Sequence, residues 1–179
     1  MRPRAMEVFP SDLDQRVLLH NLADRLSTIA DQVIADPALS EILDDEVRNL
    51  ARLLGYLTGQ HALRHRATAH YPDQATAAHR RVTLALAEAA EPAGAALAAL
   101  SSAVHHLARH ADLTHQRPGP GSALAIAAAH QDLVDRAGES RTQLARAARH
   151  LRATADTRTP PSATGPVPPT ASAAPSRTR

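Results

Sequence analysis

Residues 82–107 read VTLALAEAAEPAGAALAALSSAVHHL, and within them Val82, Leu86, Ala89, Ala93, Leu97, Leu100, Val104 and Leu107 recur at steps of three and four. That spacing sets all eight on one face of an α-helix. The register passes through Pro92 without a shift. A proline inside a helix removes one backbone hydrogen bond and crowds the preceding turn. The stretch is therefore one kinked helix or two helices end to end. The unbroken stripe favours a single helix kinked near Pro92, with Gly94 softening the same point.

The same period appears on either side. Upstream, Ser11-Asp12-Leu13-Asp14 offers an N-cap hydroxyl and early acids, a capping box with Asp in place of Glu. Leu19, Leu22, Leu26, Ile29 and Val33 then form one stripe, which Asp36-Pro37 ends. A second helix carries Leu39, Leu43, Val47, Leu50, Leu54 and Leu57 and continues to about Ala69. Gly55 and Gly59, one turn apart on it, are either a notch for a close helix crossing or a local weakness; the second reading is the simpler. Tyr71-Pro72-Asp73 makes a turn into the third helix. Downstream, Arg117-Pro118-Gly119-Pro120-Gly121 is the clearest internal loop, and Ser122 is placed to cap a fourth helix. Its stripe is Ile126, Leu133, Ala137, Leu144, Ala148 and Leu151.

Short connections between long helices make antiparallel neighbours the simplest arrangement. The expectation is an all-α, up-down-up-down antiparallel four-helix bundle. Residues 1–10 read as a flexible N-terminus, 11–154 as the bundle, and 155–179 as a disordered tail rich in Pro, Ala and Thr. Thin, Ala-rich stripes also suit self-association, with the chain supplying part of a larger intermolecular bundle.

Composition constrains the core. Of 179 residues, 39 are Ala, with one Phe, two Tyr and no Trp, so large aromatic anchors are nearly absent. Ala forms helix readily but buries little area, so stability must come from many close contacts between helices. The absence of Cys excludes disulfides, thiol nucleophiles and every Cys-based metal site. No apolar run in residues 1–10 resembles a signal peptide, and no stretch is read as apolar for long enough to cross a bilayer. A cytoplasmic location is the expectation, with Met1 and Met6 both candidates for the native start. All 20 basic residues are Arg. Together with the Ala and Pro content this is what a GC-rich coding sequence gives, so the preference for Arg over Lys carries little functional weight.

Charge is divided along the chain. Residues 1–60 hold six Arg against ten acids, and residues 61–179 hold fourteen Arg against eight. In an up-down bundle the end of helix 2, the start of helix 3 and the end of helix 4 share one pole. That pole is expected to gather Arg64, Arg66, Arg80, Arg81, Arg141, Arg146, Arg149 and Arg152, with His61, His65, His70, His79 and His150. The opposite pole would hold Asp31, Asp36, Glu41, Asp44, Asp45 and Glu46. A basic pole is either a solvated surface or a seat for phosphate or an acidic protein. No recognition-helix motif and no aromatic set for stacking on bases accompanies it.

Eleven histidines are many for this length. His61 and His65, and His106 and His110, are spaced one turn apart, as two imidazole ligands on one helix face would be. A metal site needs a third ligand, and neither Glu-x-x-His nor His-Glu-x-x-His occurs. These four are therefore candidates for metal only if another element completes the site; pairing with nearby acids is the alternative. Catalysis has little support. There is no phosphate-cradling Gly loop, no nucleophile elbow and no dinucleotide fingerprint. Ser102 and His106 are neighbours one turn apart on a helix surface.

In composition the helical, Cys-free, Trp-free chain with its Pro/Ala tail resembles the phasins, which coat storage granules through amphipathic helices. The resemblance implies no site residue. Small secreted helical hairpins with a Trp-x-Gly turn are excluded by the lack of Trp. The sequence thus points to a non-enzymatic helical-bundle interaction protein without a cofactor, self-associating or serving as an adaptor. A nucleic-acid-associated protein using the Arg/His-rich pole is the alternative, and a His-based metal protein is a further one.

Overall fold

The computed structural model describes residues 10–35, 40–117 and 119–157. Four helices account for nearly all of them: α1 (Asp12–Ala35), α2 (Ser40–His70), α3 (Ala77–His115) and α4 (Ser122–Asp156). A single 3-10 turn, Pro72–Gln74, joins α2 to α3. The expected tail beyond Thr157, residues 1–9, and Asp36, Pro37 and Leu39 at the first turn lie outside the described residues.

Local chemistry sets the ends. Ser11 Oγ accepts the Asp14 amide at 3.2 Å, the N-cap bond that the sequence spacing predicts, and donates to the Asp14 carboxylate at 2.7 Å, so the carboxylate meets the hydroxyl and not the Ser11 amide of a full capping box. Thr76 caps α3 by accepting the His79 amide at 3.0 Å. At α4 the expectation needs correction. Ser122 is already the first helical residue, and its hydroxyl accepts the Gly119 amide at 3.3 Å, so it ties down the loop instead of capping the helix. Gly121 precedes it at φ 87°, a left-handed conformation that favours glycine.

Helix α3 runs unbroken through Pro92, whose ring is buried; one helix, not two, spans the stretch. It is the longest at 39 residues, about 58 Å at the usual rise. It also contains a stretch apolar and long enough to cross a membrane, contrary to the sequence expectation, although 44% of that stretch is buried inside the bundle. Ala makes the stretch apolar and close helix packing uses it.

The helices alternate in direction. Asp24 meets Arg152 and His20 meets Asp156 across α1 and α4, while His150 meets Glu88 and His106 meets Asp132 across α4 and α3. Arg64 meets His79 across α2 and α3. All three pairs of helices are antiparallel, as an up-down-up-down bundle requires. The α3–α4 contact is the most extensive, followed by α1–α4 and α2–α3. Buried Ala85, Ala89, Ala96 and Ala103 on α3, with Ala129, Ala137, Ala147 and Ala148 on α4, are small enough to let helix axes approach closely. Between them sit the fully buried Leu86, Leu100, Leu133, Leu144 and Leu151.

The fourth side is different. Helices α1 and α2 touch only sparsely, and α2 does not reach α4 among the described residues. Going round the bundle the order is α2, α3, α4, α1, with the ring nearly open between α1 and α2. Gly55 and Gly59 do not mark a crossing: a methyl group at either would meet no other atom within 4 Å.

Candidate functional site

The arginines of the expected basic pole do not converge. Arg64 is buried, 7% exposed, at the α2–α3 interface, so it is not presented at the surface as the sequence reading placed it. Its Nη1 lies 3.5 Å from His79 Nδ1, and His79 Nε2 lies 3.5 Å from the Arg64 carbonyl. A guanidinium can only donate, so Nδ1 is the acceptor and the imidazole proton sits on Nε2. Burial holds both groups below their ordinary pKa, and for His79 the Arg64 charge adds to the effect while its hydrogen bond to the Arg64 backbone opposes it. The pair is neutral imidazole against cation, a packing feature of the interface.

The other basic-pole residues are distributed around the bundle. Arg152 Nη2 bonds Asp24 and Ser27 of α1, each at 2.9 Å. Arg80 donates to the Ala75 carbonyl at 2.9 Å and Arg66 to the Ala62 carbonyl at 3.4 Å. Arg81 lies near the start of α1, beside Asp12 and Arg16 in a shallow recess. Arg149 is exposed further up α4. Arg146 lines a separate recess of about 450 Å³ together with Glu88, Glu91, Gln143 and His150. Glutamates in that recess already balance its cation. The start of α1 also brings Asp12 and Asp14 to the same end, where Asp73 and Asp156 lie too. Counting Arg by helix ends misses these acids, which offset the expected pole.

Histidine is likewise dispersed. His61 and His65 stack with centroids 6.1 Å apart, and His110 meets His130 of α4 at 5.7 Å. His106 Nδ1 lies 3.6 Å from Asp132. Among the described residues no group of three or more His, Asp or Glu side chains is placed to hold a metal ion. Three His–carboxylate pairs instead tie α4 to its neighbours: His20–Asp156 at 3.4 Å, His106–Asp132 at 3.6 Å and His150–Glu88 at 2.8 Å. The last is an ion-pair approach without the alignment of a hydrogen bond, since His150 Nε2 has no hydrogen-bond partner.

The feature that helical periodicity did not single out is a groove of about 450 Å³ on the open side. Helix α1 lines it with Arg25, Thr28, Ile29 and Gln32, and α2 with Asn49, Arg52, Leu53 and Tyr56. Each set follows the i, i+3, i+4, i+7 spacing of one helix face. Ile29 and Leu53 are buried at the floor; Arg25 and Arg52 stand exposed at the rim. Neither arginine has a hydrogen-bonding or ion-pair partner among the described residues, and no lining residue is acidic. The signal is present in the sequence as two matched spacings, but there Ile29 reads only as a core position and the α2 stripe runs through Leu54, next to the buried Leu53 that floors the groove. Groove and bundle together define a helical-bundle protein with one incompletely packed side. Comparisons with protein-family models, with curated proteins and with solved structures gave no match, so its chemistry has to be argued from these residues alone.

Proposed function

We propose that this chain is a non-enzymatic interaction protein, an adaptor whose helical bundle takes another protein on its α1–α2 side. The observation that supports this reading is the groove itself. Helices α1 and α2 touch only sparsely, and the groove between them has an apolar floor beneath two arginines without an ion-pair partner among the described residues, whereas the recess of similar size between α3 and α4 carries its own glutamates. Protein interiors are close-packed, so a recess of this size on a bundle side is space that a partner can fill. A nucleic-acid role draws less support, because of the arginines proposed for it Arg64 is buried, Arg152 is paired and Arg146 is set beside glutamates.

Affinity capture from the source cell's lysate, with and without nuclease, followed by mass spectrometry, tests the proposal. One stoichiometric protein that survives nuclease is the expected result. A scatter of proteins that disappears on nuclease treatment would replace the adaptor reading with the nucleic-acid one.

A further inference from the structure

We infer that the α1–α2 side is a docking groove for one amphipathic helix of a partner protein, a helix with an apolar stripe edged by acidic residues. This rests on the adaptor reading and adds the surface and the chemistry of the partner.

The groove belongs to a longer face. Val17 lies eleven residues, three helical turns, before Thr28, and Leu63 lies seven residues after Tyr56. Val17 is 49% exposed, Tyr56 43% and Leu63 57%; helical register sets Val17 in line with Thr28 and Leu63 in line with Tyr56, both of which line the groove. From Val17 to Gln32 the face runs for about 22 Å, the length of a helix of about 15 residues. Two antiparallel helices that splay over this length offer a trough, and a helix seated in it would bury its own i, i+3, i+4, i+7 stripe against Ile29, Leu53 and Tyr56.

Charge selects among occupants. Arg25 and Arg52 want carboxylates, and none lines the groove. Residues 158–179 offer no carboxylate side chain, their charged side chains being Arg158, Arg177 and Arg179, and their prolines oppose helix. The N-terminal segment before Pro10 sets Arg2 and Arg4 against a single Glu7. A second copy seated symmetrically would gather four arginines and no lining carboxylate in one interface, because a two-fold contact uses the same patch twice. A helix from another protein, with Glu or Asp flanking its stripe, satisfies both the apolar floor and the cationic rim.

The test uses the full chain and two synthetic peptides of about 16 residues with an identical Leu stripe, one with Glu and one with Lys at the flanking positions. Binding is read by fluorescence anisotropy and by amide shifts in a nitrogen-15 spectrum. The Glu peptide is expected to bind at least about tenfold more tightly than the Lys peptide, with the largest shifts in residues 17–32 and 49–63. The double variant Arg25→Glu, Arg52→Glu should reverse that preference, an outcome that mere unfolding cannot produce. Equal binding of both peptides, no binding, or shifts confined to α3 and α4 would overturn the inference. So would a chain dimer that Tyr56→Glu dissociates, since the occupant would then be a second copy. If the double variant still captures the same lysate protein as the unaltered chain, this surface is wrong while the adaptor reading stands.

Discussion

Replacing Glu46 by Gln should make the bundle more stable at neutral pH and leave it unchanged in acid. Glu46 lies on the face of α2 that also carries Leu43, Leu50, Leu53 and Leu57, and it is only 4% exposed. One carboxylate oxygen, Oε2, has no hydrogen-bond partner. Burial pushes its pKa above the ordinary 4.5; the Asp45 charge pushes the same way, and a side-chain hydrogen bond from Asn49 opposes both. A carboxyl whose folded-state pKa is raised contributes stability that is fully present below pH 4.5 and is lost as pH rises through the folded value. Within that window the loss is at most about 1.36 kcal/mol per pH unit. Gln keeps the shape and the reach to Asn49 but cannot ionise. An unsatisfied buried polar atom costs about 1–3 kcal/mol and more when it is charged; Gln keeps the polar atom but removes the charge, so Glu46→Gln is expected to gain about 1–2 kcal/mol at pH 7. For a chain of this size that is about 3–6 °C in Tm. Urea unfolding followed by circular dichroism from pH 4 to 8, at constant ionic strength, measures the difference. A variant that is less stable at pH 7, or a difference independent of pH, would show that the carboxylate is solvated or paired and refute the reasoning.

Other consequences follow from the same packing. His79 has its pKa lowered by burial from the ordinary 6.5, so stability should fall as pH drops through 6.5 toward its folded value; His79→Gln should flatten that part of a stability–pH profile, and an unchanged profile would count against it. Gly55→Ala and Gly59→Ala each meet open space within a helix and should add about 0.5–1 kcal/mol in urea unfolding; destabilisation would mean that the notch is occupied. Ala96→Leu overfills a fully buried position and should lose about 1–3 kcal/mol, whereas Ala98→Leu on the exposed face of the same helix should stay within about 0.5 kcal/mol. Removing the partly exposed Arg152–Asp24 pair by Arg152→Gln should change stability by no more than about 1 kcal/mol, a value that a thermal melt can bound.

Much of the architecture was legible in residue spacing. The Ser11–Asp14 cap, the stripe from Leu19 to Val33, the passage of one helix through Pro92 and the turns at Tyr71-Pro72 and Gly119–Gly121 all appear where local chemistry puts them. They do so because capping, proline geometry and the 3.6-residue period act within a few residues of chain. Polar residues at stripe positions were not legible. Glu46 and Arg64 sit on the buried face of α2, yet a pattern of hydrophobicity reads them as surface, and only the neighbours decide whether solvent reaches them. The partners of individual arginines were hidden for a related reason: where an arginine points depends on which helix lies beside it, so Arg152 turns to Asp24 of α1 and Arg64 to His79 of α3. The open groove is the furthest from the sequence. Each amphipathic helix states how much of itself must be buried, but not against which neighbour. That three pairs of helices pack extensively while α1 and α2 stay apart is a property of how four stripes share one core, and so belongs to the tertiary structure alone.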